Sequence, residues 1–292
     1  MVPSACHSER VRIRPDVIAH RGASAIEAEH TLAAYRRALD DGADGVECDV
    51  RLTRDGVLVC VHDRRVDRTS SGRGVVSTLE LADLSELDFG SWRRDPGIEE
   101  PDPLLTASWE APDLDRTGVL TLERLLEVVT ASERPVRLAI ETKHPTRYAG
   151  LVEETLVGML RRFGLADAAG NGKDTVQVMS FAPTGLRRVR ALAPDLATVH
   201  LMKRVPLRLR DGGISPSATI AGPSVEALKA HPAYVERAHA RGHEVHVWTV
   251  DRLDDVDAMV ALGVDVLITN EPAAVLDHLA HHDGPALPLA AT

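Results

Sequence analysis

The chain has 292 residues, 44% of them hydrophobic and 27% charged, which is enough apolar material for one large α/β barrel or two ordinary domains. Its formal net charge of -10 at pH 7 argues against a general nucleic-acid or anionic-membrane binder, because such proteins need a basic field. An anionic small-molecule substrate remains compatible with this charge if a metal ion or a few placed arginines and lysines stand beside it.

The cysteines and the N-terminus indicate a cytoplasmic protein. Cys6, Cys48 and Cys60 are an odd number without paired spacing, which is typical of reduced thiols. Residues 1–14 contain charges and no apolar core of a secretory signal. Since no stretch of 18 uninterrupted apolar residues occurs, we expect no membrane insertion. The sequence does not indicate an oligomeric state.

Short apolar runs alternate with amphipathic segments from residue 16 to residue 279. The predicted strands are 17–19, 45–50, 136–140, 175–179, 197–201, 218–221, 244–248 and 265–268. The predicted helices are 31–40, 122–131, 148–163, 183–193, 232–241, 254–262 and 272–281. This order is typical of parallel βαβ units, and eight strands suggest a closed (β/α)₈ TIM barrel. An open doubly wound sheet is the alternative.

Residues 64–118 interrupt the alternation after the second strand. They contain no clean βα unit, and their second half is rich in proline, aspartate and glutamate. Because long structureless loops inside compact domains are uncommon, we interpret this segment as a small inserted subdomain that covers the mouth of the barrel. A flexible surface excursion is the alternative for residues 93–118. The whole chain, 1–292, is otherwise expected to form a single barrel domain over about 16–280.

Carboxylates gather at predicted strand ends, where barrel active sites lie. Glu47 and Asp49 are two apart in the second strand and therefore face the same side, and Glu141 ends the third. At roughly 4 Å two like charges repel by about 4 kcal/mol at an effective dielectric of about 20, so three such groups require a cation. All-oxygen ligands favour Mg²⁺ or Ca²⁺. The alternative is an ordinary surface carboxylate pair.

Asp55-Gly56, flanked by alternating apolar residues, predicts a β-hairpin after the second strand. A two-residue turn would place His62 opposite Asp49, whereas a three-residue turn with a glycine bulge would shift that register by one. In either case His62 would come close to the carboxylates.

Two histidines at strand ends are candidates for proton transfer. His20 and His62 would approach one site from different directions, and imidazoles titrate near working pH. For each of them a structural role is the alternative. Arg21 and Lys143 would supply positive charge for a phosphate. Trp248 could form an apolar wall for the substrate or an ordinary part of the barrel core.

These residues occur in an order that resembles the glycerophosphodiester phosphodiesterase family. The matching motifs are His20-Arg21-Gly22, Glu47-x-Asp49, Asp55-Gly56 with His62-Asp63, Glu141-x-Lys143, and residues 87–92, 247–250 and 263–270. The resemblance covers about residues 16–280. It implies a barrel with an inserted subdomain and a bound Mg²⁺ or Ca²⁺, and hydrolysis of glycerophosphodiesters to sn-glycerol 3-phosphate and an alcohol.

The resemblance also implies a role for each candidate residue. It makes Glu47, Asp49 and Glu141 the metal ligands and His20 and His62 an acid/base pair, with Arg21 and Lys143 near the phosphate. The implied mechanism is attack of the substrate's own glycerol hydroxyl on phosphorus, followed by opening of the cyclic phosphate by water.

The chain departs from the family pattern at Glu29-His30-Thr31, where asparagine is usual at the middle position, and at Leu120, where proline is usual. His30 is a poorer helix N-cap than asparagine or adds a third imidazole near the site. The alternative functions are a phosphodiesterase of lysophospholipase D or phospholipase type acting on lipids and a non-catalytic phosphodiester-binding barrel. An apolar rim would favour the former and loss of a histidine or ligand carboxylate the latter.

Overall fold

The computed structural model describes residues 14–93, 113–147, 150–166 and 175–281. Its centre is a closed barrel of eight parallel strands, in which the first strand, Asp16–His20, pairs with both the second, Gly45–Leu52, and the last, Val266–Thr269. The predicted TIM barrel is therefore confirmed, and the open-sheet alternative is wrong. The barrel strands are β1 Asp16–His20, β2 Gly45–Leu52, β4 Arg137–Thr142, β5 Val176–Ser180, β6 Ala197–Met202, β7 Ile220–Pro223, β8 Glu244–Val247 and β9 Val266–Thr269.

Helices follow the strands on the outside of the barrel. The α-helices are α1 Leu32–Asp40, α2 Leu81–Ser85, α3 Leu114–Thr117, α4 Leu122–Thr130, α5 Leu151–Arg162, α6 Pro183–Leu192, α7 Val225–Ala230, α8 Tyr234–His239, α9 Leu253–Leu262 and α10 Pro272–His281. Single 3₁₀ turns occupy Val76–Thr78, Ser91–Arg93 and Leu207–Leu209.

Two predicted helices differ from the observed ones. The predicted helix 232–241 is the shorter α8, and α7 precedes it. The two are separate because Pro232 disfavours a helical backbone at the residue before it, and His231 has φ -142° and ψ 64°. The predicted helix 148–163 begins at Leu151, after Gly150 at φ 98°; residues 148 and 149 lie outside the described residues.

The apolar residues of the barrel divide between two layers. Alternate strand residues point inward and pack with one another, among them Ile18, Met179 and Val199. The remaining strand residues face the helices, where Leu122 and Leu126 of α4 are fully buried. Strands buried on both faces explain why the predicted strands appear in the sequence as continuous apolar runs.

The hairpin after β2 has the three-residue turn. β3, Leu58–Cys60, pairs antiparallel with β2, and Arg51 lies opposite Val59. Gly56 has φ 85°, a left-handed backbone that glycine adopts without a steric cost. The expected pairing of Asp49 with His62 under a two-residue turn is therefore wrong; the Val61 N–H donates to the Asp49 carbonyl instead.

The described residues of the segment between β3 and α4 form a small apolar cluster with the hairpin. Its ends contact the loop that follows β1. Within the insertion, the Phe89 N–H donates to the Thr117 carbonyl. Toward the loop after β1, Arg116 lies 2.7 Å from Glu27, and the Arg93 guanidinium donates to the Ser24 carbonyl. These contacts place the described part of the insertion at the carboxyl end of the barrel. Residues 94–112 of the acidic stretch lie outside the described residues.

Within the described ranges, none of the helices is both long enough and apolar enough to cross a membrane.

Candidate active site

Three buried carboxylates meet at the carboxyl end of neighbouring strands. The register of β2 and β4 places Asp49 beside Glu141, and that of β1 and β2 places His20 beside Glu47. Oxygens of Glu47, Asp49 and Glu141 lie within 4.8 Å of one another, and the three residues are at most 6% exposed. Cys48, between the two carboxylates of β2, faces the helices instead, as period-two geometry predicts.

The carboxylates repel one another and are surrounded by cations. Burial, together with the charge of Asp49, raises the pKa of Glu141 to about 7 and that of Glu47 well above its usual range. Burial would also raise the pKa of Asp49, but a hydrogen bond from His30 and the charges of Lys143 and Arg21 outweigh it and hold this pKa well below its usual range. The cluster is therefore one that a positive charge stabilises.

The donor set fits a hard divalent cation. Three carboxylates supply oxygen ligands only, which is the set that Mg²⁺ and Ca²⁺ prefer. The Lys143 ammonium lies 2.8 Å from Asp49 Oδ1 and 2.7 Å from Glu141 Oε2, so a cation already bridges two of the three. Glu47, Asp49 and Glu141 could hold a divalent metal ion at this point.

The side-chain amide of Asn270 holds the imidazole of His20, the last residue of β1, at its Nδ1 atom. Its Nδ1 lies 2.8 Å from Asn270 Oδ1, and the Asn270 amide nitrogen donates to Asp251 Oδ2 at 2.7 Å. Because a carboxylate only accepts, the amide oxygen must face His20, which then carries its proton on Nδ1. Nε2, 4.0 Å from Glu47 Oε2, is left with a lone pair toward the carboxylates. Burial lowers the pKa of His20 to about 3.

His62 follows the hairpin and is held by an ion-pair chain. Its Nδ1 lies 2.6 Å from Asp63 Oδ1, and Arg68 of the insertion donates to Asp63 at 2.7 Å and to both oxygens of Glu29. Burial lowers the pKa of His62, and the charges of Arg21 and Lys143 lower it further. This chain connects the insertion to the loop after β1 across the mouth of the barrel.

Arg21 and His30 both bind the carboxylate of Asp49. Arg21 Nε lies 3.0 Å from Asp49 Oδ2 and its Nη1 lies 3.0 Å from Glu29. His30 Nε2 lies 2.9 Å from the same Asp49 oxygen. Thr31 is the N-cap of α1, since its side chain accepts from the Ala34 N–H. His30 is therefore a third imidazole at the site and not the helix cap.

Trp248 stands across the barrel mouth in an aromatic pair. Its ring meets Phe181 edge to face at 5.4 Å, its Nε1 donates to the Gly222 carbonyl at 2.7 Å, and the residue packs against the barrel core. The Lys203 ammonium lies 5.9 Å from the Phe181 ring. The half-buried Trp248 therefore packs on the barrel core and also lies at the carboxyl end of the barrel.

The structure adds residues that sequence reasoning missed. Asp251 and Ser24 hold Asn270 and His20, and Glu29 and Arg68 hold the network of His62. Each lies in a loop a few residues after a strand or in the insertion. Their polar character at the carboxyl end of the barrel was a usable signal, but their partners lie as far as 246 residues away in the chain.

Residues 20–274 match the model of the Glycerophosphoryl diester phosphodiesterase family. The chain belongs to this family. The match begins at His20 and spans the three carboxylates, both candidate histidines and Asn270.

Individual relatives agree with this assignment. A Mycobacterium tuberculosis protein named "Probable glycerophosphodiester phosphodiesterase 1" is 47% identical over 260 residues, which are 88% of this chain and 90% of that protein. A Bacillus subtilis glycerophosphodiester phosphodiesterase is 30% identical over 279 residues, 93% of this chain and 90% of its own. An Oleispira antarctica phosphodiesterase, solved in complex with sn-glycerol-3-phosphate, shares the fold with a TM-score of 0.74 at 24% identity, over 91% of this chain and 97% of that one.

Proposed function

We propose that this protein hydrolyses glycerophosphodiesters to sn-glycerol 3-phosphate and an alcohol. Membership of the family makes it a phosphodiesterase, a hydrolase of phosphoric diesters. The observation that carries the proposal is the buried group Glu47, Asp49 and Glu141 at the mouth of the barrel, with two imidazoles beside it. Such a group suits a reaction in which negative charge develops on phosphoryl oxygens.

We propose that Glu47, Asp49 and Glu141 hold one Mg²⁺ or Ca²⁺. When bound, the ion would neutralise phosphoryl oxygens and lower the pKa of a hydroxyl beside it. Arg21 and Lys143 would add positive charge for the phosphate, since both already contact Asp49 at 3.0 and 2.8 Å. This local concentration of cations is how an acidic protein can bind an anionic substrate.

His20 and His62 form the acid/base pair of the proposed mechanism. With Nδ1–H held by Asn270, Nε2 of His20 is free to accept the proton of the glycerol hydroxyl as that oxygen attacks phosphorus. His62, held at Nδ1 by Asp63, would donate a proton to the departing alcohol. In the second step water loses a proton to His62, which gave up its own in the first step, and opens the cyclic phosphate, whose glycerol oxygen regains a proton from His20. The pair is interchangeable in direction, so each histidine ends a cycle as it began.

Trp248 is proposed to contact the apolar edge of the substrate, because its ring and that of Phe181 border the mouth of the barrel. We also propose that residues 64–118 form an inserted subdomain of a single barrel domain, for which Arg68 and Arg116 supply contacts. A cytoplasmic location is proposed from the free, buried thiols of Cys48 and Cys60.

The test is release of glycerol 3-phosphate from glycerophosphocholine, glycerophosphoethanolamine and glycerophosphoglycerol, with EDTA and after restoring Mg²⁺ or Ca²⁺. We expect EDTA to abolish release and a metal to restore it, and His20→Ala or His62→Ala to lower the rate by about 10²- to 10⁴-fold. His281→Ala, on the exposed end of α10, is the control and should leave the rate unchanged.

Two outcomes would contradict the proposal. Release that persists in EDTA would refute the metal assignment. Absence of release from all three compounds, with cleavage of a lysophospholipid instead, would favour a lipid substrate.

A further inference from the structure

A cavity of about 490 Å³ lies beside the candidate active site, between the insertion and the loop that follows β4. Its apolar floor includes Leu52, Val76 and Val152. Such a volume is within the range of small-molecule pockets, roughly 300 to 1,000 Å³. The cavity has no part in the mechanism described above, which takes place at the strand ends.

Four basic residues line this cavity in a protein of net charge -10, namely Arg51, Arg64, Lys143 and Arg147. Lys143 is bound to two carboxylates, as are Arg21 and Arg68 at the other side of the mouth, so the arginines of the cavity carry the rest of its positive charge. The positive charge of the cavity is thus concentrated on one wall of the active-site entrance.

Within the part of the chain that the structure describes, two of the four form no ion pair. Arg51 donates from Nε and Nη2 to the carbonyl of His62, at 3.0 and 2.8 Å, and makes no ion pair with any described residue. Within the same described ranges, the exposed Arg64 makes no ion pair either. Burial lowers the pKa of Arg51, the charges of the nearby carboxylates Asp49, Asp63 and Glu141 oppose this shift, and the charge of Arg64 lowers the pKa further. An anion in the cavity would remove this like-charge repulsion.

One side chain, Lys143, belongs to both the cavity lining and the carboxylate cluster. Lys143 lines the cavity, while its ammonium lies 2.8 Å from Asp49 and 2.7 Å from Glu141. A phosphodiester bound at the cluster can therefore extend one of its two ester arms past Lys143 into the cavity. The aromatic pair of Phe181 and Trp248 is not among the cavity residues, so it remains for the other arm.

We propose that this cavity binds the leaving alcohol of the substrate and selects alcohols that carry a phosphate monoester. The inference rests on the proposed function and names its substrate class. A choline headgroup would bring a quaternary ammonium cation against Arg51 and Arg64, and this like-charge contact costs free energy. A phosphate, by contrast, can accept hydrogen bonds from several guanidinium N–H groups. The protein would then cleave glycerophosphodiesters of anionic alcohols in preference to neutral or cationic ones.

The experiment compares glycerophosphoglycerol with the same compound carrying a phosphate on the leaving glycerol. Loss of the phosphodiester signal in ³¹P NMR reports on both compounds. We expect kcat/KM to be about tenfold higher for the phosphorylated compound at low ionic strength, and the ratio to fall as salt screens the charges. In Arg64→Gln/Arg147→Gln, two exposed positions on the cavity wall, the ratio should fall by about fivefold or more.

Arg124→Gln is the matched control, because it removes the same charge from the outer face of α4, where Arg124 pairs with Glu127. This variant should keep the wild-type ratio. Equal cleavage of the two compounds by the wild type, or a ratio unchanged in the double variant, would overturn the inference and leave the proposed function standing. Cleavage of neither compound by an enzyme that cleaves glycerophosphocholine or glycerophosphoethanolamine would overturn the inference alone, whereas failure on all of these compounds would overturn the proposed function and the inference with it.

Discussion

Asn270→Ala tests whether the orientation of His20 is set from across the barrel. The substitution removes the acceptor of the His20 Nδ1–H, which lies 2.8 Å away, and the donor to Asp251 Oδ2 at 2.7 Å. The backbone N–H of residue 270, which donates to Asp251 Oδ1, stays in place. The loop after β9 should therefore keep its conformation while the imidazole loses its partner.

The expected magnitudes follow from these contacts. A neutral hydrogen bond contributes about 1 kcal/mol, and the bond to Asp251 about as much, because that carboxylate is exposed and water can replace the amide. A loss of about 2 kcal/mol should lower Tm by about 3 to 4 °C in a chain of 292 residues, because the entropy of unfolding is about 2.1 cal/mol/K per residue. Without its partner the His20 ring can rotate and change tautomer, which should lower kcat by about 10- to 100-fold with little change in KM.

The assay is steady-state hydrolysis of the best glycerophosphodiester, with Tm measured on the same samples. Asp254→Ala is the control, since Asp254 is an exposed residue at the start of α9 that pairs only weakly with Arg252. His20→Ala/Asn270→Ala should be about as slow as His20→Ala alone, because Asn270 acts through His20.

One result would refute this reasoning. If Asn270→Ala showed the expected fall in Tm but kept kcat within about twofold of wild type, the orientation of His20 would not matter and its role as the base would be wrong. A full additional loss in the double variant would likewise show that Asn270 acts independently of His20.

Three further predictions concern stability and its dependence on pH. Leu126→Ala, in the fully buried face of α4, should lower the free energy of unfolding by about 2 to 5 kcal/mol in urea titrations, and an unchanged midpoint would contradict the packing described. Burial raises the pKa of Glu153, but the contact with His144 at 2.9 Å outweighs it and lowers this pKa below 4.5. The contribution of ionised Glu153 to the free energy of unfolding is thus present above pH 4.5 and is lost as the pH falls below it. Glu153→Gln should therefore have a lower Tm than wild type at pH 7, and the two Tm values should converge in acid. A hydrogen bond to Asp265 raises the pKa of His239 above 6.5, so its contribution is present below pH 6.5 and lost as pH rises through the raised value; His239→Ala should lower Tm more at pH 6 than at pH 9.

The barrel and the grouping of three carboxylates at its rim could be predicted from the sequence. Strands buried on both faces leave continuous apolar runs, and helices leave a different period, so the eight strands were found within about two residues. The glycines at 42, 164, 242 and 263 have positive φ, as expected after helices, because only glycine adopts that backbone without strain. Glu47, Asp49 and Glu141 could be grouped because the carboxyl ends of parallel strands meet at one rim.

The hairpin register could not be decided from the sequence, because Asp55-Gly56 is compatible with both turn lengths. The structure has the three-residue turn, and the register of this hairpin sets the position of His62 relative to Asp49. The same limit applies to His30. Its position in the sequence is compatible with a helix cap, but in the structure the cap is Thr31, whose side chain accepts from the Ala34 N–H.

Tertiary structure alone decided which polar residues hold the histidines and where the unpaired cations lie. Asn270 reaches His20 across 250 positions in the chain, and Arg68 joins Glu29 to Asp63 through the insertion. Periodicity reports only how a residue relates to its own helix or strand, whereas these contacts depend on how the barrel closes and on where the insertion packs. The sequence therefore determines which side chains reach the rim, and the closed barrel determines which of them meet.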